Sequence, residues 1–158
     1  MDVNVNVNVN VTVTDSDLVE WYPSVAIDHD NKAQWRGFLE RRLLINRCFQ
    51  CGYWINPPRP MCPRCWSDRV EPQEVSGRAR VQWFTLLYQG APGADPSHPY
   101  AAVVVELEEQ PNLRMNSTIV GCVPTDIVCD MQVELTWRDH NGAPLPVFRP
   151  GASPIGDP

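Results

Sequence analysis

The chain contains one lysine, Lys32, and only three histidines, His29, His98 and His140. No two histidines stand at an H-x-x-x-H spacing, which excludes the helix-borne metal site of the common metalloproteases. There is no G-x-S-x-G nucleophile elbow and no glycine-rich phosphate loop, so serine hydrolases of the α/β type and P-loop nucleotide enzymes are excluded as well. No stretch approaches the roughly 18 consecutive apolar residues of a membrane span, and no membrane role is expected. No apolar signal core precedes the cysteines, so the expected compartment is reducing and cytoplasmic.

What is present is four cysteines in two pairs, Cys48/Cys51 and Cys62/Cys65. Two C-x2-C clips with a short loop between them can close a tetrahedral thiolate cage around one metal ion, the spacing of a zinc ribbon. Gly52 follows the first clip where the turn calls for positive φ, and Pro63 pre-sets the second. Two disulfides would use the same residues but suit a secreted domain, and iron accepts the same ligands in a rubredoxin-type cage; zinc is the preferred ion. Four thiolates leave no open coordination position, so the metal is expected to hold structure and not to perform hydrolysis. Cys122 and Cys129 lie apart from the clips with no histidine near them in sequence, and are read as ordinary strand or loop thiols.

The formal net charge of −6 hides a division along the chain. Residues 1–35 carry six acids and one base, residues 36–70 seven arginines and two acids, and residues 71–158 five arginines and eleven acids. The basic charge therefore sits on and around the cysteine clips, where Arg36, Arg41, Arg42, Arg47, Arg59, Arg64 and Arg69 can face a phosphorylated ligand, an acidic partner or plain solvent.

Organisation follows from pattern. The tract Val3 to Thr14 alternates with a perfect period of two, but asparagine is a poor strand former and the tract is terminal and of low complexity, so residues 1–20 are expected to form a tail. Over residues 21–46, Asp28 or Asp30 is expected to cap a short helix whose Trp35, Phe38 and Leu39 make one apolar stripe. Leu43-Leu44-Ile45-Asn46 then reads as a strand delivering the ribbon, residues 47–70. From 71 to 150 the pattern is strands separated by turn signals: Glu74 to Tyr88 bent at Gly77, Tyr100 to Leu107, Met115 to Val123, Gln132 to Arg138, and a turn at Asn141-Gly142 toward Pro146-Val147-Phe148. The 16 prolines agree with strands and loops over long helices. The expected fold is mainly β: a short N-terminal helix, a rubredoxin-like zinc ribbon and a C-terminal five-stranded OB-fold barrel, with residues 151–158 a flexible tail.

With these elements in order, the segments Leu43 to Gly52, Pro57-Pro58-Arg59, Cys62-Pro63-Arg64-Cys65, Gly77, Pro99 to Val105, Met131-Gln132-Val133 and Pro146 to Pro150 resemble the zinc-ribbon plus OB-fold acyl-CoA-associated proteins, domain of unknown function 35, over about residues 30–150. One departure is Cys129-Asp130, where that family usually has an isoleucine-glycine-like pair. The resemblance implies an accessory subunit without catalytic residues of its own, bearing structural zinc and associating with a thiolase-like or lipid-transfer-protein-like enzyme that acts on acyl-CoA. It favours retro-aldol or thiolytic carbon–carbon cleavage in lipid or steroid side-chain breakdown over an acyltransferase or thiolase complex that makes such bonds. The acyl-CoA path or the subunit interface is then expected at Trp35, Phe38, Leu39, Arg41, Arg42 and Arg59.

Two rival readings come from other classes. Ribbons and OB barrels also bind nucleic acid, and Trp83, Phe84 and Tyr88 offer stacking surfaces, but a barrel segment at −6 repels a phosphate backbone and nucleic acid is not the expected partner. A scaffold that joins two enzymes without touching substrate fits the same residues.

Overall fold

The structure is a computed structural model that describes residues 14–91 and 95–151. The alternating tract, apart from Thr14, and the expected C-terminal tail, apart from Gly151, lie outside the described residues. No helix among the described residues is long and apolar enough to cross a membrane.

Helix α1, Asp15–Trp21, begins inside the span expected to be a tail and ends one residue beyond it. Its start is a capping box: Thr14 Oγ1 accepts from the Asp17 N–H, and the Asp17 carboxylate accepts from the Thr14 N–H at 2.7 Å. Two turns are too short to stand alone, and α1 is held by burying Leu18 completely and by Asp15, which pairs with both Lys32 and Arg36. Helix α2, Lys32–Leu39, carries the expected stripe, but its N-cap is Asn31; Asp28 instead accepts the N–H groups of Asp30 and Asn31 in the preceding turn. A chain of aromatic contacts runs Tyr22–Trp35–Phe38–Trp137, with ring centroids 4.7, 5.0 and 5.8 Å apart, and fastens both helices to the sheet behind them. Tyr22 anchors the far end by donating its hydroxyl to the Pro144 carbonyl at 2.9 Å, and burial pushes its phenol up to about 12.

The ribbon is a small antiparallel sheet in the order β2-β1-β3, from β1 (Leu44–Cys48), β2 (Trp54–Ile55) and β3 (Val70–Glu74). The long strand expected from Glu74 to Tyr88 is two strands in two sheets. The chain leaves β3, turns at Gly77 with φ +79° and enters β4, Arg78–Leu87. Glycine is required there twice over: the backbone is left-handed, and an added Cβ would stand 2.8 Å from the Cβ of Leu135.

The second sheet has the order β6-β5-β4-β7-β8, with β5 Tyr100–Leu107, β6 Arg114–Ser117, β7 Gln132–His140 and β8 Ala143–Pro150. Asn141 and Gly142, both at positive φ, close the β7–β8 hairpin as their sequence predicts. The sheet curls into an OB-like half-barrel until its edges meet: Ile119 bridges Phe148 in parallel, and Val120 N–H donates to the Phe148 carbonyl at 2.8 Å. This explains why β6 stops at Ser117 and not at Val123, since the chain leaves β5 to reach β8. Asp130 takes φ +64°, a left-handed conformation, and its carboxylate pairs with Arg80 at 2.8 Å.

One large core, including Leu43, Ile45, Val81, Val105 and Phe148, lies under the half-barrel and the helices. The ribbon has its own small cluster of Cys48, Ile55 and Cys62, with little around it. The two parts are joined at the ribbon edge, where the Gln110 side-chain amide accepts from the Trp54 N–H at 2.9 Å and donates to the Trp54 carbonyl at 3.1 Å, as a neighbouring strand would.

Gly77→Ala should cost about 2–3 kcal/mol by adding overpacking to a strained backbone. Gly121→Ala, at a similar φ of +76° but with open space around the new methyl, should cost only about 1 kcal/mol. Urea unfolding of the two variants checks the difference, and equal losses would show that the contact with Leu135 is not what makes Gly77 necessary.

Candidate functional site: a thiolate cage beside an apolar groove

Cys48 ends β1, and each clip folds back on itself in the same way: the Gly52 N–H donates to the Cys48 carbonyl at 2.8 Å, and the Trp66 N–H to the Cys62 carbonyl at 3.0 Å. The two loops bring Cys48, Cys51, Cys62 and Cys65 together with all four Sγ atoms within 4.8 Å of one another. The Cys48–Cys65 and Cys51–Cys62 sulfurs are each 3.6 Å apart, well beyond a disulfide bond of about 2.05 Å. Two sulfurs bound tetrahedrally at about 2.3 Å from zinc stand about 3.8 Å apart, so the cage fits that ion.

The protonation chemistry agrees. Burial pushes the Cys48 thiol up, but the N–H groups of Cys51 and Gln50 and the adjacent thiols outweigh it and hold Cys48 down to about 7. The Ser67 N–H lowers Cys65, yet burial and the three neighbouring thiols drive it up to about 12. One thiolate forms readily, whereas four at such distances need a cation between them. Zinc there would neutralise the thiolates and clamp the two loops; with four protein ligands it would leave no position for a substrate.

Beside the ribbon, α2 and the sheet enclose a groove of about 640 Å³. Trp35, Phe38, Met115, Leu145 and Val147 are part of its apolar wall, and Gln34, Asn56, Asn116, Ser117, Thr118 and Arg138 add polar side chains. Of the residues predicted for a substrate path or interface, Trp35 and Phe38 therefore line one cavity, while Leu39 packs against the core behind α2. Arg41 pairs with Asp139 at 2.9 Å, and Arg42 with Glu74 at 2.9 Å and Glu40 at 3.3 Å, so neither stands at the groove. Arg59 is exposed and has no ion-pair partner among the described residues.

Sequence reasoning missed Arg138. Its signal was the Asn141-Gly142 turn, which fixes the hairpin register and sets Arg138 opposite Leu145. A second cavity of about 550 Å³, at the opposite part of the sheet, is lined by Arg78, Arg80, Glu106, Glu108 and Glu134. Its charges are satisfied within the chain: the Arg80 guanidinium lies 2.8 Å from Glu106 and holds that buried carboxyl below its usual range.

Among the described residues no catalytic constellation forms. His29 and His98 are exposed beside Asp30 and Asp95, and no hydrogen bond joins Cys122 or Cys129 to a histidine. Burial, with Asp126 nearby, pushes the Cys122 thiol up, the reverse of what a nucleophile needs.

The ribbon's dependence on metal predicts that a strong zinc chelator will strip hydrogen-exchange protection from residues 44–74 while β4, β5 and β7 stay protected. Loss of protection across the whole chain, or none at all, would contradict a local clamp. The expected metal content by elemental analysis is one zinc per chain, and none in Cys62→Ser.

Comparison with known proteins is consistent with both halves of this architecture. Residues 35–71 match the family described as the ChsH2 rubredoxin-like zinc ribbon domain, and residues 72–138 the ChsH2 C-terminal OB-fold domain. A "DUF35 domain-containing scaffold protein" of Methanocaldococcus jannaschii is 34% identical over 106 residues, covering 66% of this chain and 74% of that protein. A "probable enoyl-CoA hydratase alpha subunit" of Thermomonospora curvata is 34% identical over 81% of this chain, which spans only 40% of that longer relative. The "benzoylsuccinyl-CoA thiolase subunit BbsA" of Geobacter metallireducens is 38% identical over 57% of this chain and 58% of its own length. Among solved structures, the "Ltp2-ChsH2(DUF35) aldolase" has a chain that matches with a TM-score of 0.71 and 34% identity, covering 80% of this chain and 98% of that one. Cage, ribbon, half-barrel and these matches together place the chain in the DUF35 family of zinc-ribbon and OB-fold proteins.

Proposed function

We propose that this chain is an accessory, non-catalytic subunit that associates with a thiolase-fold enzyme and helps hold an acyl-CoA thioester while the partner breaks a carbon–carbon bond. The observation that carries this reading is the match to nearly the whole DUF35 chain of the Ltp2–ChsH2 aldolase. The thiolase-subunit name of the Geobacter relative points to the same class of partner. The chain's own chemistry agrees with a supporting role: its metal cage is closed, and among the described residues no nucleophile meets a base.

The groove has the volume of small-molecule sites, and its apolar wall suits an acyl chain or a steroid-like carbon skeleton of the kind found in lipid and steroid side-chain breakdown. In this reading Trp35 and Phe38 hold the carbon, while Arg138 and the exposed Arg59 meet anionic groups of the CoA ester. Arg41 and Arg42 serve mainly to tie α2 to β7 and β3 through their carboxylate partners. Retro-aldol and thiolytic cleavage differ in the partner's chemistry and not in this chain's part, and a complex running in the bond-forming direction would use the groove in the same way. The six unbridged cysteines suit a reducing cytoplasm.

Co-expression with a thiolase-fold enzyme of the kind paired with the DUF35 chain in the matching aldolase tests the proposal. Co-purification with acyl-CoA cleavage in the pair and in neither protein alone is the expected result. In that complex Arg138→Ala should raise KM for the acyl-CoA about tenfold, the loss of one charge-assisted hydrogen bond of about 1.5 kcal/mol, with kcat little changed. A chain that neither binds the thiolase-fold protein nor alters its turnover would sink the reading.

A further inference from the structure

Strand β4 is paired on both sides for only part of its length. From Arg78 to Arg80 it lies between β5 and β7. At Val81 the last bonds on the β7 side form: the Val81 N–H donates to the Met131 carbonyl at 2.9 Å, and the Asp130 N–H donates to the Val81 carbonyl at 2.7 Å. The chain leading into β7 turns away there, with Asp130 at φ +64°. From Trp83 to Leu87, β4 pairs with β5 alone, and among the described residues no backbone hydrogen bond reaches its other edge. An open edge is a template for another strand, which proteins usually blunt with charge or proline. Here the edge is Gln82-Trp83-Phe84-Thr85-Leu86-Leu87, with no charged residue and no proline.

A bulge between Val81 and Trp83 sets what this edge presents. Val81 belongs to the core, and Phe84 and Leu86 pack against it, so Gln82 and Trp83 both fall off the core face. Trp83 is thereby 57% exposed, and Leu87, four residues on and on the same outer face, is 37% exposed. The strand register fixes their neighbours: Trp83 stands opposite Val104, Thr85 opposite Ala102 and Leu87 opposite Tyr100. From Val81 to Val105 the chain holds one acid, Asp95, and no lysine or arginine. Arg80, the cation nearest the edge in sequence, is neutralised by Glu106 and Asp130.

We propose that this edge pairs with the same edge of a second copy of the chain, β4 against β4 and antiparallel about a two-fold axis at Thr85, so that two half-barrel sheets join into one. Pairing about Thr85 sets each Trp83 opposite Leu87 of the second copy, and Thr85 opposite Thr85, on the outer face; on the core face it sets each Phe84 opposite Leu86. Every pair is aromatic on aliphatic or hydroxyl on hydroxyl, so the strand is complementary to itself, the condition of an isologous interface. Charge agrees with this occupant: two chains of net charge −6 repel at a distance, but the edge brings no charged side chain into contact, whereas nucleic acid or an anionic bilayer finds no cation on it. The contact uses no residue of the metal cage or of the groove lining, so it goes beyond the accessory-subunit reading and does not depend on it.

Sedimentation velocity of the zinc-loaded chain over a concentration series reads the pairing. A short strand pair anchored by one tryptophan from each copy falls among the small, transient interfaces, so monomer and dimer should exchange with a dissociation constant on the order of 10 µM. Added salt should tighten the dimer by screening two like-charged chains. Thr85→Lys sets two ammonium groups opposite each other at the axis and leaves the core face untouched; it should weaken the dimer about 30-fold or more, and Trp83→Ala about tenfold. Hydrogen exchange locates the contact: residues 82–87 should gain protection as the wild-type concentration rises, and gain none in Thr85→Lys, whose β5 and β7 should keep wild-type protection. Should Thr85→Lys fail to fold, Trp83→Ala decides by the same two readouts. A wild-type chain that stays monomeric to concentrations on the order of 100 µM would overturn the proposal, even if a thiolase-fold subunit then covers the edge. So would a dimer that both variants leave intact, or one that forms without protecting residues 82–87.

Discussion

Four cysteine sulfurs within 4.8 Å of one another, a cage that one zinc ion would close, are the constraint on which the ribbon depends. The ribbon's three short strands enclose only Cys48, Ile55 and Cys62 as buried side chains, far too little apolar surface to fix its backbone. Metal binding in such domains is worth on the order of 10–16 kcal/mol, and zinc held by the four cysteines would take the place of a core. The clamp's influence does not stop at the cage. Strand β1 carries Ile45 into the main core at one end and Cys48 into the cage at the other, so one five-residue strand belongs to both parts. At the opposite edge, β2 is held by the Gln110 amide from the half-barrel.

This construction divides labour between rigidity and recognition. The half-barrel and the aromatic chain from Tyr22 to Trp137 fix α2 in place, and α2 supplies one wall of the groove. The cage fixes the knuckle loops, whose outer faces carry the exposed Phe49, Met61 and Trp66. Among the described residues the histidines are exposed, and Glu106 is held in an ion pair with Arg80. The groove between α2 and the sheet is thus held by elements that are themselves fixed by aromatic contacts and strand pairing.

Much of this was legible in the sequence because its signals are local. The clips, Gly52, Gly77 and the Asn141-Gly142 turn each dictate backbone shape within a few residues, and the strand pattern supplied the half-barrel. What escaped detection depends on distant partners. Arg41 and Arg42 read as free cations until Asp139 and Glu74, 98 and 32 residues away respectively, arrive beside them. Helix α1 was masked by the alternating tract that precedes it, although Thr14 and Asp17 spell a capping box. The left-handed backbone at Trp66, φ +62°, and at Asp130, φ +64°, is likewise hidden, because neither position carries the glycine that would announce it.

The central claim is that the metal clamp makes this chain competent to support a partner enzyme. Native mass spectrometry of the co-expressed complex, before and after titration with a zinc chelator, tests it most directly. The account predicts loss of one zinc per copy of this chain together with release of the thiolase-fold subunit, while the freed chain keeps the compact charge distribution of a folded half-barrel. A complex that loses its zinc and remains assembled would contradict it.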